Sequence, residues 1–181
     1  MNDTHVLIQS ALEILTQGEN LLSELEGDHY TLRVPAAFNA SIGGHYRHCL
    51  DHFRNLLDAA HSGDLNYDHR ERGTLIENDR FAALNATREL RSAFQALPAE
   101  CLPRQLKVTC KTSYSETGSQ VSGSTIGREI MYSVAHAVHH YALIGIMGRL
   151  MGLIMPDGFG VAPSTLKHQR DAAAVPATAG R

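Results

Sequence analysis

Six of the eleven histidines fall in two short groups, His45, His48 and His52, then His136, His139 and His140. Residues at i and i+4 stand one turn apart on the same helix face, so His136 and His140 can clasp one divalent cation. At about 100° per residue, His45, His48 and His52 lie within roughly 60° of one another, beside an apolar arc of Ile42, Cys49, Leu50, Phe53, Leu56 and Leu57. His136, His139 and His140 share a face with Tyr132, Leu143, Met147 and Leu150 and are expected to point inward. Packed imidazoles repel one another when protonated and each leaves a lone pair to satisfy, whereas one cation satisfies several at once. The third ligand must come from the other group, from His48, His45 or His52, and three imidazoles leave a coordination position open for water or substrate. Glu129 precedes His136 by seven residues on the same face and is a candidate outer acceptor, ligand or general base.

The elements that must carry these groups are helical. Val6, Ile8, Leu12, Leu15, Leu22 and Leu25 recur at helical spacing from about Thr4 to Leu25, with Asn2-Asp3-Thr4 offering a cap. Glu26 to Phe38, with Gly27, an alternating Tyr30–Val34 stretch and Pro35, suits an extended connection. Asn39 or Ser41 can cap a second helix running to about His61, ended by Ser62-Gly63, and the polar stretch Asp64 to Gly73 reads as a loop. A third helix is expected from Thr74 to Leu97, with Glu77 and Asp79 near its start and Pro98 beyond its end. Between Arg104 and Ser124, Leu106, Val108 and Cys110 alternate with polar residues before a turn at Glu116–Ser119, which predicts a short hairpin. Ser124 or Thr125 caps a fourth helix that Pro156-Asp157-Gly158 stops. The reading is an all-α fold with a β-hairpin inserted between the third and fourth helices, a single domain over residues 1–170, and a disordered Ala-rich tail over residues 171–181.

Composition narrows the function. A formal charge of −3 with no run of Lys or Arg removes the footprint of a nucleic-acid binder. Ile130 to Met155 is long and apolar, but three histidines and Arg149 interrupt it, so a buried helix is expected rather than a membrane span. Three cysteines, Cys49, Cys101 and Cys110, show no CxxC spacing and follow no signal-peptide pattern, which points to a reducing cytoplasm. Cys49 reads as a buried structural thiol, the Met147, Met151 and Met155 stripe as core, Tyr46 and Tyr141 as packing residues. His5, His29, His61, His69 and His168 read as surface residues.

The run Ser41-Ile42-Gly43-Gly44-His45-Tyr46-Arg47-His48, followed much later by His136-Ala137-Val138-His139-His140, resembles the DinB-like (YfiT-like) superfamily of metal-dependent proteins over about Thr4 to Gly152. The resemblance implies a four-helix bundle of up-down-down-up topology, commonly a homodimer, with a metal on one histidine of the second helix and an HxxxH pair of the last. Carried over, these are His48, His136 and His140, His48 being preferred over His45 by its interval from the Ile-Gly step. Many members continue into Arg-Gly-Gln where this chain has Tyr141-Ala142-Leu143. The expected cofactor is a divalent metal, Zn²⁺ or Ni²⁺ foremost, although imidazole ligands suit Fe and Cu too and do not separate the four. The expected activity is a hydrolase or thiol-dependent transferase acting on a small molecule, with a low-molecular-weight thiol as co-substrate. In it the metal activates water or thiol while His52, His45 or Glu129 moves protons. Two rival expectations are a non-catalytic metal-binding or sensing bundle and a metal-free structural bundle.

Overall fold

The computed structural model describes residues 3–174, and among these the chain forms six α-helices and one three-stranded sheet. The long helices are α1 (Asp3–Glu24), α2 (Ile42–Ser62), α4 (Arg80–Ala96) and α5 (Ile126–Leu150), with the single-turn α3 (Leu75–Asn78) before α4 and α6 (Pro163–Ala174) after α5. The helix α1 packs on α4 and α5, and α2 packs on the same two, so the facing pair α2 and α5 carries both histidine groups. None of the described helices is long and apolar enough to cross a membrane.

Local chemistry sets the ends of the two histidine-bearing helices. Ser41 has extended backbone angles and its hydroxyl accepts from the Gly44 N–H at 3.1 Å, while Gly63 closes α2 at φ +85°, its N–H donating to the Ala59 carbonyl. Only a residue at ease in the left-handed region can turn the chain there, and glycine is that residue. Thr125 caps α5 by accepting from the Arg128 N–H at 3.2 Å, which leaves the neighbouring Ser124 hydroxyl for another partner.

The strands β1 (Asp64–Asn66), β2 (Gln105–Cys110) and β3 (Gln120–Thr125) lie in that order. The hairpin β2–β3 is antiparallel with Val108 opposite Ser122, and β1 joins β2 in parallel with Leu65 opposite Val108. Since β3 runs directly into α5, the sheet sits at the N-terminal end of that helix.

Tyr46 and Tyr141 are fully buried and stacked, 6.0 Å between centroids and 7° between planes, and Tyr141 stacks in turn on Phe159. The Tyr46 hydroxyl hydrogen-bonds Thr87 Oγ1 at 2.8 Å, and a side chain at Gly18 would strike both tyrosine hydroxyls. One residue each from α1, α2, α4 and α5 therefore meets at this point, which locks the pair α2 and α5 into register. Phe53 meets Phe94 edge to face nearby, at 5.6 Å. Cys49 and Met147 are buried, as their neighbours led one to expect.

Several expected elements differ. Glu26 to Phe38 is not extended but holds two 3-10 turns, Gly27–Tyr30 and Pro35–Ala37, because Gly27 takes φ +60° and Pro35 starts a tight turn. The polar Asp64–Gly73 loop contains β1, whose three residues are too short for their alternation to stand out. The expected third helix breaks at Asp79, which is extended and accepts from the Phe81 and Ala82 N–H groups to start α4 afresh. The fourth helix ends at Leu150, earlier than Pro156, because Gly152 adopts φ +82° and its N–H turns back to the Arg149 carbonyl. Residues 171–174 of the expected tail belong to α6, and residues 175–181 lie outside the described residues, as does Asn2 of the N-terminal cap.

Candidate metal centre and adjoining cleft

The helices α2 and α5 pack face to face, and five histidines meet between them. The Nε2 atoms of His48 and His136 stand 3.0 Å apart, and Nδ1 of His45 meets Nδ1 of His140 at 2.9 Å. In the second contact one ring donates and the other accepts, so Nε2 is the nitrogen of His140 left for an ion. His48, His136 and His140 each offer a ligand atom, and these atoms lie within 4.8 Å of one another. Imidazole nitrogens bonded to one tetrahedral ion at about 2.0–2.1 Å are separated by roughly 3.3 Å, so small side-chain adjustments suffice to close the set.

Burial acts on these rings before any neighbour does. It lowers the His48 pKa to about 2, helped by His52, Arg70, His140 and His136, and that of His52 to about 3, helped by His136 and Arg70. His140 is lowered to about 3 and His136 to about 4, in each case first by burial and then by like-charged neighbours; His45 is lowered for the same reasons. Neutral rings are the form that ligates, so near pH 7 the cluster has its lone pairs ready. The donor set thus fits a divalent cation of intermediate softness.

The remaining expected site residues fall around this set. His52 is 4 % exposed and neither of its ring nitrogens has a hydrogen-bond partner; the same holds for Nδ1 of His48. His139 is exposed, on the outer side of α5, because a step of one residue from His140 turns the side chain about 100° out of the cluster. Leu150, the last residue of α5, is exposed, and Tyr132 is partly exposed. Glu129 is buried away from the three ligand atoms and accepts from the Tyr67 hydroxyl at 2.7 Å and from the Ser124 hydroxyl. Its contact with the histidines is indirect: Tyr67 stacks on His52 at 4.6 Å and 22°.

Next to the cluster opens a cleft of about 650 Å³ between the sheet and α5, lined by Tyr67, Val108, Cys110, Ser124, Glu129 and Tyr132 among others. Tyr67 and Tyr132 both line the cleft and touch the histidines, Tyr132 lying 5.8 Å from the His136 ring and 5.9 Å from that of His52. Burial raises the pKa of both tyrosines, and the Glu129 carboxylate adds to the rise at Tyr67, so both phenols stay protonated. Sequence reasoning passed over Tyr67, which lay in the segment taken for a loop. The Leu65-Asn66-Tyr67 alternation, buried, exposed, buried, was the signal that could have found it.

Comparison with known proteins corrects the expected kinship. No family model matches the chain. It is 36% identical over 104 residues to FK506-binding protein 5 of Rhizopus delemar, a match covering 58% of this chain and 27% of that protein. The chain thus spans about a quarter of the length of the curated relative it matches. That relative overturns the DinB-like assignment, and with it the hydrolase or thiol-transferase activity and the non-catalytic metal-binding or sensing bundle as the chain's function; the cation site itself rests on the geometry of His48, His136 and His140. The resemblance rested on two short runs, Ser41–His48 and His136–His140.

Proposed function

We propose that this chain holds one divalent cation, Zn²⁺ or Ni²⁺, on His48, His136 and His140, and that the Tyr67–Tyr132 cleft admits a small-molecule ligand to the cation's open position. The observation that carries the reading is the 3.0 Å approach of two imidazole Nε2 atoms from different helices, with His140 beside them. On this reading α1, α2, α4 and α5 are a four-helix bundle whose facing pair α2 and α5 supplies the ligands. A bound cation would supply a Lewis-acidic position for an electron-rich ligand atom. The protein's own residues do the rest. His45 sets the tautomer of His140 through their Nδ1 contact, Glu129 fixes the Tyr67 hydroxyl, and Tyr67 in turn holds the face of His52. The free cysteines Cys49, Cys101 and Cys110 support a reducing compartment such as the cytoplasm.

The test is calorimetric titration of chelator-treated protein with Zn²⁺. One site per chain is expected in the wild type and none in His136→Ala, with helical content unchanged. Equal Zn²⁺ binding by the two proteins would contradict the reading.

A second reading is favoured by the relative's name, which describes a protein that binds FK506 and so points to peptidyl-prolyl isomerisation. An X–Pro bond crosses a barrier of about 18–20 kcal/mol, and holding the ring against an apolar wall away from water is one route to lowering it. Tyr67, Val108 and Tyr132 offer such a wall. Acceleration of prolyl-peptide isomerisation by the wild type, blocked by FK506 and lost in Tyr132→Ala, is the result this reading requires. An unchanged spontaneous rate would remove it.

A further inference from the structure

Among the described residues His52 is the buried histidine whose two ring nitrogens both lack a partner. Either tautomer of a neutral imidazole presents one N–H and one lone pair, and burying both without partners is unfavourable. The faces of the ring are taken: Tyr67 stacks on it at 4.6 Å and 22°, and His136 at 4.0 Å and 23°. Only the ring edge, where the nitrogens sit, is available to bond. His52 is not a member of the group whose ligand atoms lie within 4.8 Å of one another, so neither of its nitrogens is that close to all three ligand atoms. They nevertheless belong to a ring 4.8 Å from that of His48 and in contact with Tyr67 and Tyr132, two of the residues that line the cleft.

We infer that His52 is the second anchor for the ligand that enters the cleft: it donates its N–H to an acceptor atom of a small anion whose other end occupies the cation's open position. The inference rests on the metal reading and adds to it the ligand class. A stacked ring cannot swing toward the metal without losing both neighbours, so it selects ligands by reach. The ligand must carry two electron-rich atoms a few bonds apart, as azide and carboxylates do. No covalent step is involved. A single buried water would satisfy the same nitrogens but would gain nothing from the ligand's negative charge, which is what separates the two cases.

The experiment loads wild-type protein, His52→Phe and His52→Gln with Co²⁺ and titrates each with azide, read by the visible absorption of the cobalt. Phenylalanine keeps the planar stack and removes both nitrogens, whereas glutamine restores a donor. All three proteins are expected to take up one Co²⁺ with similar affinity, azide binding being about tenfold weaker in His52→Phe and recovered in His52→Gln. With Zn²⁺-loaded wild type, azide is expected to shift the His52 ring-nitrogen resonances, a readout that does not depend on the variants folding. Equal azide affinity in wild type and His52→Phe, or unmoved His52 resonances, would overturn the inference and leave the metal site intact. Loss of Co²⁺ from a folded His52→Phe would overturn it too, by making His52 a ligand. A wild type that binds no Co²⁺ would instead bring down the metal reading and this inference together.

Discussion

Four imidazoles held neutral by burial make the metal-free protein sensitive to acid. His48, His52, His136 and His140 bind protons in the unfolded chain below about pH 6.5 but in the folded one only near their lowered values, about 2 to 4. The unfolded state therefore carries more protons throughout that window, and stability rises with pH across it. The stabilising share of these rings is fully present above about pH 6.5 and is lost progressively as the pH falls toward 4. Thermal melts of the metal-free protein are expected to give a lower Tm at pH 5 than at pH 7.5, with a shallower drop in His52→Phe; equal drops in the two proteins would detach the acid sensitivity from this ring. At the same scale, Gly160 sits at φ +70° with its would-be Cβ 2.5 Å from the backbone of Tyr141 and Ala142. Gly160→Ala is expected to destabilise by roughly 2–4 kcal/mol, measured by urea unfolding, because neither the backbone conformation nor the space behind α5 admits a methyl group. A loss below about 0.5 kcal/mol would mean that this segment does not pack on α5 as described.

Caps decide much of what happens among the elements. Asp79 starts α4 by accepting from two backbone N–H groups, and Asp79→Ala is expected to cost about 1 kcal/mol in chemical denaturation without altering metal content. Capping chemistry was legible at Gly63 and, as one of the two candidates Asn39 and Ser41, at Ser41, and misled at the end of the last long helix, where two stop signals competed. Pro156 was read as the stop of the last long helix, yet Gly152 comes first along the chain and ends it. The placement of His48, His136 and His140 on facing helices was legible as well, since i, i+4 spacing beside an apolar stripe leaves few orientations. His139 was not, because three histidines within the five residues His136–His140 cannot all lie on one narrow face. The cleft wall escaped for a different reason. Tyr67 reaches Glu129 across 62 positions of sequence and follows a strand of three residues, so its one local signal, the buried–exposed–buried alternation from Leu65, was too short to stand out.

Taken whole, the molecule places its one facing pair of histidine helices beside a sheet that runs straight into α5, and the cleft lies at that junction. A ligand that binds only the folded form raises apparent stability by mass action, so saturating Zn²⁺ or Ni²⁺ is expected to raise Tm by several degrees and a chelator to reverse the rise. The similarity to the much longer curated relative covers about a quarter of its length, so the functional reading stands on the site's own geometry. The most direct test is metal content by plasma mass spectrometry of untagged wild type, His48→Ala and His136→Ala, purified without added metal. One equivalent of Zn or Ni in the wild type, lost from both variants, is the predicted result. A metal-free wild type that also ignores added Zn²⁺ and Ni²⁺, or variants that keep a full equivalent, would contradict the account.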